Sequence, residues 1–402
     1  MLGVIFLTVF LDLVGFGVVI PILPLYAEHF GAPGIVVGAI MAVYSLMQFL
    51  FSPVWGRWSD RLGRRPLMLF GTAGASLAYV VFALGAGLTG QTALIVFFLA
   101  RMLAGFCGAN LSVAQAAIAD VTPPEKRSKS MALIGIAFGL GFIFGPFLGG
   151  VSLKHFGMAG PGWLAAALCA ANFIAAFFLL PETRKPGGEN VKPRPRLQQW
   201  LEIVRHPQLG LLVVVFFFTT FSFACFETTL GLLVARNFGL DFRGADAGTI
   251  ANLFAYSGIL GVLAQGGLIG RLLKLLGEGK LIALSLLMVS LSLAPLPFVH
   301  TWGALLGVLA LLSIGSSLTR PPVFGLISRL APEHEQGATL GVAQSAGSLA
   351  RIAGPIFAAS LFFVHPSWPY LACAAITMAT AGVVIVFLLP RLPHTPADAP
   401  AE

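Results

Sequence analysis

Two carboxylates, Asp12 and Glu227, lie within long apolar stretches of this sequence, and so do two arginines, Arg101 and Arg351. A charge in apolar surroundings is costly, so each side chain is expected to face a bundle interior or a water-filled cavity. A carboxyl group in such a place can be neutral with a proton and charged without one. The four residues are therefore candidates for a proton-coupling site.

Each of the four also has a structural interpretation that the sequence leaves open. Asp12 fits a hydrogen-bond acceptor that joins helices, and Glu227 fits a solvated residue near an outer opening. Arg101 is either a buried cation that needs an acceptor or a side chain whose tip reaches the interface. Arg351 needs an acid from another helix, and the sequence does not decide between Asp12 and Glu227.

The composition places these residues in a membrane. The 402-residue chain is 57% hydrophobic and only 10% charged, with a mean hydropathy of +0.90. Apolar runs of about 20 residues recur along it, and their continuous rather than alternating character predicts helices and excludes a β-barrel. We predict an all-α polytopic membrane protein with twelve spans, although hydropathy alone also allows ten or fourteen. The spans are 2–25, 36–55, 67–88, 93–114, 130–153, 163–180, 209–234, 247–268, 281–298, 304–324, 338–364 and 370–389.

The distribution of lysine and arginine predicts the orientation of these spans. Basic residues concentrate in the loops after the second, fourth, sixth and eighth spans, and the side that bears them is expected to be cytoplasmic. Both termini fall on that side. The net charge of +8 is then a signal of topology, and no basic soluble patch indicates nucleic-acid binding. The basic residues on the opposite side are Lys154, Arg236 and Arg243.

The spans divide into two halves around a polar stretch rich in proline, glycine and basic residues. We predict a six-helix bundle over 1–181, a cytoplasmic central loop over 182–207, a second bundle over 208–390 and a cytoplasmic tail over 391–402. Several short patterns recur in the same order in both halves, which predicts two pseudo-symmetric bundles. The pairs are Gly56 and Gly63 with Gly270 and Gly277, Gly145-Pro146 with Gly354-Pro355, and His29-Phe30-Gly31 with Asn237-Phe238-Gly239.

The fifth span carries small residues four apart, a spacing that lets helix backbones approach closely. A proline inside it weakens the helix and permits a bend. We interpret this set as packing and hinge positions: Gly141, Gly145, Pro146, Gly149 and Gly150.

Other polar or aromatic side chains inside the spans are candidates for a substrate cavity, although such groups also bridge helices. They are Tyr44, Gln48, Asn110, Gln115, Asn252, Tyr256 and Gln344.

Four stretches together resemble a known family. They are Leu11-Asp-Leu-Val-Gly-Phe-Gly with Pro21-Ile-Leu-Pro24, the loop 56–65, Arg101-Met-Leu-Ala-Gly-Phe-Cys-Gly, and Gly141-Phe-Ile-Phe-Gly-Pro-Phe-Leu-Gly-Gly150. The chain is similar to major facilitator superfamily transporters of the twelve-span drug–proton antiporter group, including bacterial tetracycline-type exporters. The resemblance implies that Arg101 tunes a nearby carboxylate in proton coupling. It also implies that Asp60, Arg64 and Asp120 form a cytoplasmic charge network, a conformational lock in which Gly56 and Gly63 permit close approach.

These observations favour proton-coupled export of a small lipophilic or cationic compound by alternating access. The rivals are a proton-coupled symporter or uniporter for a metabolite, and a polytopic membrane enzyme or sensor. No nucleotide loop, metal-ligand spacing or catalytic constellation is present in the sequence, so we expect no cofactor, no metal and no enzymatic activity. We expect a monomer in the bacterial inner membrane. Tetracycline itself is doubtful, because Ala78 and the ninth span lack the acids of the exporters that the chain resembles.

Overall fold

The computed structural model describes residues 1–108, 110–122, 127–183, 196–240, 246, 248–330 and 336–391. These residues form helices joined by short turns. The helices are α1 (Leu2–Val19), α2 (Leu23–His29), α3 (Gly34–Leu62), α4 (Arg64–Gly85), α5 (Gly90–Gly108), α6 (Asn110–Val121), α7 (Arg127–Phe156), α8 (Gly160–Leu179), α9 (Arg196–Arg205), α10 (Pro207–Phe238), α11 (Thr249–Leu263), α12 (Ile269–Leu293), α13 (Trp302–Leu330), α14 (Gln336–Val364) and α15 (Trp368–Val383).

Among the described residues, eleven helical segments are long and apolar enough to cross a membrane. One of them, Asn252–Phe298, covers 47 residues, or about 70 Å of helix, more than twice the thickness of a hydrocarbon core. Gly277 divides it, because its φ of 70° and ψ of 171° are not helical. This segment therefore contains two predicted spans, and the twelve-span fold class is confirmed.

Some helices differ from the predicted spans at their ends. The first span breaks at residues 20–22 and continues as α2 to His29, since Pro21 and Pro24 interrupt the hydrogen-bond ladder. The eighth span includes a π-helical turn at Ala264–Leu268 before α12 begins. The long α3 extends to Leu62, so the basic residues of the predicted second loop belong mostly to helix ends.

Backbone contacts divide the chain into two compact units. Unit 1 comprises Met1–Glu189 together with Thr228–Gly258. In it α1 packs against α7 and α8, while α4 lies against α5 and α8. An apolar core around Ile5, Trp55 and Met68 fills the space between these helices.

Unit 2 comprises Asn190–Glu227 together with Ile259–Glu402. In it α12 packs against α13 and α15, and the short α9 lies on α14. Its core surrounds Leu212, Phe216 and Ile282, with Trp200 of α9 packed at the edge. The predicted central loop therefore contains a short helix, α9, which covers the end of this core.

The structure supports the internal repeat at the level of backbone contacts. In unit 1, Gly145 of α7 lies against the backbone of Gly17 in α1. In unit 2, Gly354 of α14 lies against Ala224 and Cys225 of α10, and the Cys225 thiol donates to the Gly354 carbonyl at 3.3 Å. Equivalent helices, α1 with α7 in unit 1 and α10 with α14 in unit 2, therefore meet at the repeated glycine.

The fifth-span glycines behave as close-packing positions. A Cβ added at Gly141 would lie 3.0 Å from the Leu13 backbone, and one at Gly149 would collide with the Val18 carbonyl. The helix α7 continues through Pro146. Gly56 differs from the expectation: it is helical, and a Cβ there would meet no atom within 4 Å, so no close approach requires glycine at this position.

Substitution of Gly145 by alanine is expected to destabilise the protein by about 1–3 kcal/mol, because the new Cβ would lie 2.6 Å from backbone atoms that cannot move aside. The control is Gly307→Ala in α13, where a Cβ meets nothing within 4 Å and alanine improves helix propensity. Thermal unfolding of both purified variants in detergent measures the difference. Equal stability of the two variants would contradict the close contact.

Candidate functional site

Asp12 is held by two asparagines from other helices. The Asn172 amide of α8 donates to Oδ1 at 2.8 Å, and the Asn110 amide at the start of α6 donates to Oδ2 at 3.4 Å. Both asparagines are buried, at 1% and 4% exposure. The same amides also donate to backbone carbonyls, Asn172 to Thr8 and Asn110 to Met68 of α4. The Asp12 carboxyl group therefore lies at a junction of four helices.

Arg101 is 1% exposed, so the interpretation that its tip reaches the interface is wrong. Its guanidinium lies over the ring of Tyr44 at 4.5 Å and over that of Phe16 at 5.5 Å. Gln48 donates to the Tyr44 hydroxyl at 3.1 Å and to the Gly108 carbonyl at 3.0 Å. Two of the predicted cavity residues, Tyr44 and Gln48, thus belong to the setting of Arg101, where aromatic faces stabilise the cation.

The predicted conformational lock is present in part. Arg64, at the start of α4, is 8% exposed, and its Nε lies 2.9 Å from Oδ2 of Asp120 at the end of α6. Its Nη1 donates to the Ser59 hydroxyl at 2.6 Å. The side chain of Asp60 lies outside the described residues, so the third member of the network stays a prediction.

Glu182, which follows α8, caps the first turn of α4. Its Oε1 accepts from the backbone N–H of Arg64 at 2.9 Å, and its Oε2 accepts from that of Arg65 at 3.1 Å. A carboxylate at a helix N-terminus satisfies N–H groups that have no partner in the helix and is favoured by the helix dipole. Gly63 has a φ of 101°, and a Cβ there would collide with this carboxylate. The positive φ therefore favours glycine at position 63, and a larger side chain would also displace the Glu182 carboxylate.

Unit 2 carries a related ion pair with the charges exchanged. Glu278 follows Gly277, as Arg64 follows Gly63, and it pairs with Arg329 near the end of α13. In unit 1 the cation lies beside the glycine and the acid at the end of the neighbouring helix. In unit 2 the acid lies beside the glycine. The repeat preserves the position of the ion pair, but the acidic and the basic residue have exchanged places.

The remaining predicted residues lie on four helices, α6, α10, α11 and α14. Glu227 is half-buried in α10 and is the last residue of that helix in unit 2. Arg351 is half-buried in α14, where its Nη2 donates to the Ser348 hydroxyl at 3.4 Å. Asn252 is exposed, while three further side chains are half-buried: Gln115, Tyr256 and Gln344.

No group of three metal-binding side chains occurs in the described part of the chain. The four cysteines are buried, and none of them forms a disulfide.

Comparisons with known proteins agree with the helical membrane fold described above. The family model described as Major Facilitator Superfamily matches residues 5–272 and 244–402. The chain belongs to this superfamily. The tetracycline resistance protein, class E, of Escherichia coli is 33% identical over 88% of this chain and 86% of its own. Multidrug resistance protein 2 of Bacillus subtilis (strain 168) is 28% identical over 94% of this chain and 93% of its own.

Among solved structures, the human organic anion transporter MFSD10 (TETRAN) is 25% identical, with a TM-score of 0.69, over 96% of this chain and 98% of its own. The superfamily is one of transporters rather than enzymes, so the protein is an integral membrane transporter of small molecules. The rival interpretation as a membrane enzyme is thereby excluded.

Three residues of this superfamily member were not found from its sequence. Asn172 and Glu182 act through contacts with residues more than one hundred positions away, for which a single sequence gives no signal. Glu278 could have been found from the sequence, because it lies one residue after the repeated glycine Gly277, as Arg64 does after Gly63.

Replacement of Glu182 by alanine removes the cap of α4 and is expected to lower the free energy of unfolding by about 1 kcal/mol. Glu182→Gln keeps the shape but loses the charge that favours the helix N-terminus, so an intermediate loss is expected. The control is Glu202→Gln on the exposed face of α9. Thermal unfolding in detergent checks the order; a Glu182→Ala variant as stable as the control would contradict the cap.

A charge exchange tests the ion pair of unit 2. Glu278→Arg places two arginines together and is expected to lower the unfolding temperature and the transport rate, since the pair is replaced by repulsion. The double variant Glu278→Arg with Arg329→Glu restores opposite charges and is expected to recover most of both losses. Additive losses in the double variant would show that the two side chains act independently.

Proposed function

We propose that this transporter exports a small lipophilic compound across the bacterial inner membrane in exchange for protons. Its relatives include proteins named for tetracycline and multidrug resistance, which supports export of drug-like compounds. Alternating access would move the bundles predicted over 1–181 and 208–390 against each other. We assign both termini to the cytoplasm, on the side that carries most of the basic loops, and we expect the functional unit to be a monomer.

The observation that carries the proposal is the setting of Asp12. Both of its carboxylate oxygens accept hydrogen bonds from amide N–H groups, one from α6 and one from α8. A proton on either oxygen removes the negative charge and adds an O–H donor beside an amide donor. The hydrogen bond from that amide becomes weaker, so proton binding weakens a link between α1 and its neighbours. This is the physical step that proton coupling requires.

Arg101 and Glu227 complete the proposed coupling set, together with Arg351. Arg101 supplies a fixed positive charge that two aromatic rings hold in place, in the same unit as Asp12. Glu227 is a second carboxyl group at membrane depth, in α10. We assign proton binding to Asp12 and Glu227, and electrostatic tuning to Arg101 and Arg351.

The lock of Arg64, Asp120 and Asp60, with Gly63, is proposed to stabilise one end state of the cycle. The ion pair of Arg64 with Asp120 and the cap by Glu182 join the starts and ends of three helices on one side of unit 1. Breaking such contacts would shift the population between two conformations rather than unfold the protein. The glycines of α7 supply the close helix packing, and the polar side chains of the predicted cavity line the substrate path.

Asp12→Asn keeps an acceptor and a donor in place but cannot exchange a proton. In proteoliposomes with an imposed pH gradient, this variant is expected to lose gradient-driven movement of the probe that the wild-type protein transports, pyrenebutyrate or ethidium, down to the level of protein-free liposomes. Exchange of substrate without a gradient is expected to persist, because substrate binding does not need the proton. Glu202→Gln serves as the control with an exposed carboxylate.

The direction of the gradient separates the proposal from its rival. An antiporter accumulates substrate on the acidic side, whereas a symporter accumulates it on the opposite side. Accumulation away from the acidic side would overturn the proposed export function. Unchanged gradient-driven movement in Asp12→Asn would overturn the assignment of Asp12.

A further inference from the structure

Arg320 of α13 is a cation at membrane depth that the coupling set does not use. It lies within the apolar segment Trp302–Ile327, nine residues before Arg329 and therefore about 14 Å along the helix from the ion pair with Glu278. A guanidinium stays ionised under all physiological conditions. A permanent charge at this depth is tolerated only where it faces a protein interior or water.

Two aromatic rings hold the Arg320 side chain. Its guanidinium carbon lies 5.7 Å from the ring centre of Phe216 in α10 and 5.4 Å from that of Phe324, one turn further along α13. The two rings meet edge to face, with centres 4.9 Å apart. Phe216 is 3% exposed and is fixed by the unit 2 core. The guanidinium is therefore oriented by a rigid platform.

The rings stabilise the cation but accept none of its N–H groups in the plane of the guanidinium. Within the part of the chain that the structure describes, no hydrogen bond or ion pair reaches Arg320. The side chain is exposed. The five N–H donors of the planar guanidinium are therefore available to a ligand. Their geometry matches the oxygens of a carboxylate, sulfonate or phosphate.

The surroundings of Arg320 add positive potential. Arg351 of α14 is close enough for its charge to act on Arg320. The next two residues, Pro321 and Pro322, lack N–H groups and so leave carbonyls of the preceding turn without their helical donors. Gln265 donates to one of these carbonyls, that of Ser317, at 3.4 Å. The helix α13 continues through both prolines, so Arg320 lies next to carbonyl groups that lack their helical donors.

We propose that Arg320, on its platform of Phe216 and Phe324, binds an acidic group of the exported compound, so that the substrate class is lipophilic organic anions. The inference rests on the proposed efflux function and narrows it, and it replaces the cationic compound that the sequence allowed. Arg320 supplies hydrogen bonds and charge, and the phenylalanine rings contact the apolar part of the ligand. The name of the relative MFSD10, an organic anion transporter, is consistent with this class.

A matched pair of fluorescent probes tests the class. Pyrenebutyrate is a lipophilic carboxylate, and a pyrenebutyl-trimethylammonium salt carries the same fluorophore with the opposite charge. Binding to the purified full-length protein in detergent is measured by fluorescence titration. The wild-type protein is expected to bind the anion at least about tenfold more tightly than the cation, since charge-assisted hydrogen bonds of this kind stabilise by about 1.5–3 kcal/mol. Equal affinities, preference for the cation, or no saturable binding of the anion would overturn the proposal.

Variants locate the binding group. Arg320→Gln is expected to lose the preference for the anion, and Arg320→Lys to retain part of it, because the ammonium keeps the charge but not the planar fork. Arg271→Gln, which removes an exposed arginine near the start of α12, is the control. If Arg320→Gln binds the anion as tightly as the Arg271→Gln control does, Arg320 does not bind the anion and only directs its tip toward water. Should Arg320→Gln fail to fold, the probe pair on the wild-type protein still decides the substrate class.

The binding measurement is independent of proton coupling, so the two proposals can fail separately. Anion binding that depends on Arg320, without gradient-driven movement in proteoliposomes, would overturn the efflux function and leave the binding site standing. Gradient-driven export of the cation alone would support efflux and overturn the anionic class.

Discussion

The cost of a charge inside an apolar bundle governs the arrangement of this protein. Asp12, Arg101 and Arg320 each contact at least one other helix, through groups that match the chemistry of the side chain. The Asp12 carboxylate has two amide donors, while Arg101 and Arg320 have pairs of aromatic faces. An aromatic face stabilises a cation without neutralising it. The protein thereby keeps charge available at depth, which a sealed ion pair would not.

The internal repeat shows which features the architecture requires and which are free to change. Gly63 and Gly277 both have positive φ and both precede an ion pair, and Gly145 and Gly354 both bring the same helices into contact. These features are dictated by backbone geometry, so they persist in both units. The direction of the ion pair, Arg64 with Asp120 in one unit and Glu278 with Arg329 in the other, is not dictated by backbone geometry and has been exchanged.

Most of the fold was predictable from the sequence because hydropathy and span length report directly on burial in lipid. The contacts of Asp12 were not predictable, because they depend on the rotation of α6 and α8 about their axes, which the apolar pattern of a fully hydrophobic helix does not determine. The same reason explains why Arg101 was left between two interpretations until its burial was known. At Gly56 the resemblance predicted a constraint that the structure does not have. The motif led us to expect that glycine is needed there, whereas the structure leaves space for a side chain.

The division of roles between the units has an energetic consequence. In the proposed cycle, Asp12 of unit 1 exchanges the proton and Arg320 of unit 2 binds the anion. Export of one anion in exchange for one proton moves two positive charges inward per cycle. Each charge contributes about 2.3 kcal/mol per 100 mV of membrane potential, so this exchange gains about twice that amount in a cell whose interior is negative. An anionic substrate would thus be driven outward by the potential itself, and a proton bound at Asp12 or Glu227 would add to this force. Such a cycle needs no further deep acid, which agrees with the absence of acids at Ala78 and in the ninth span.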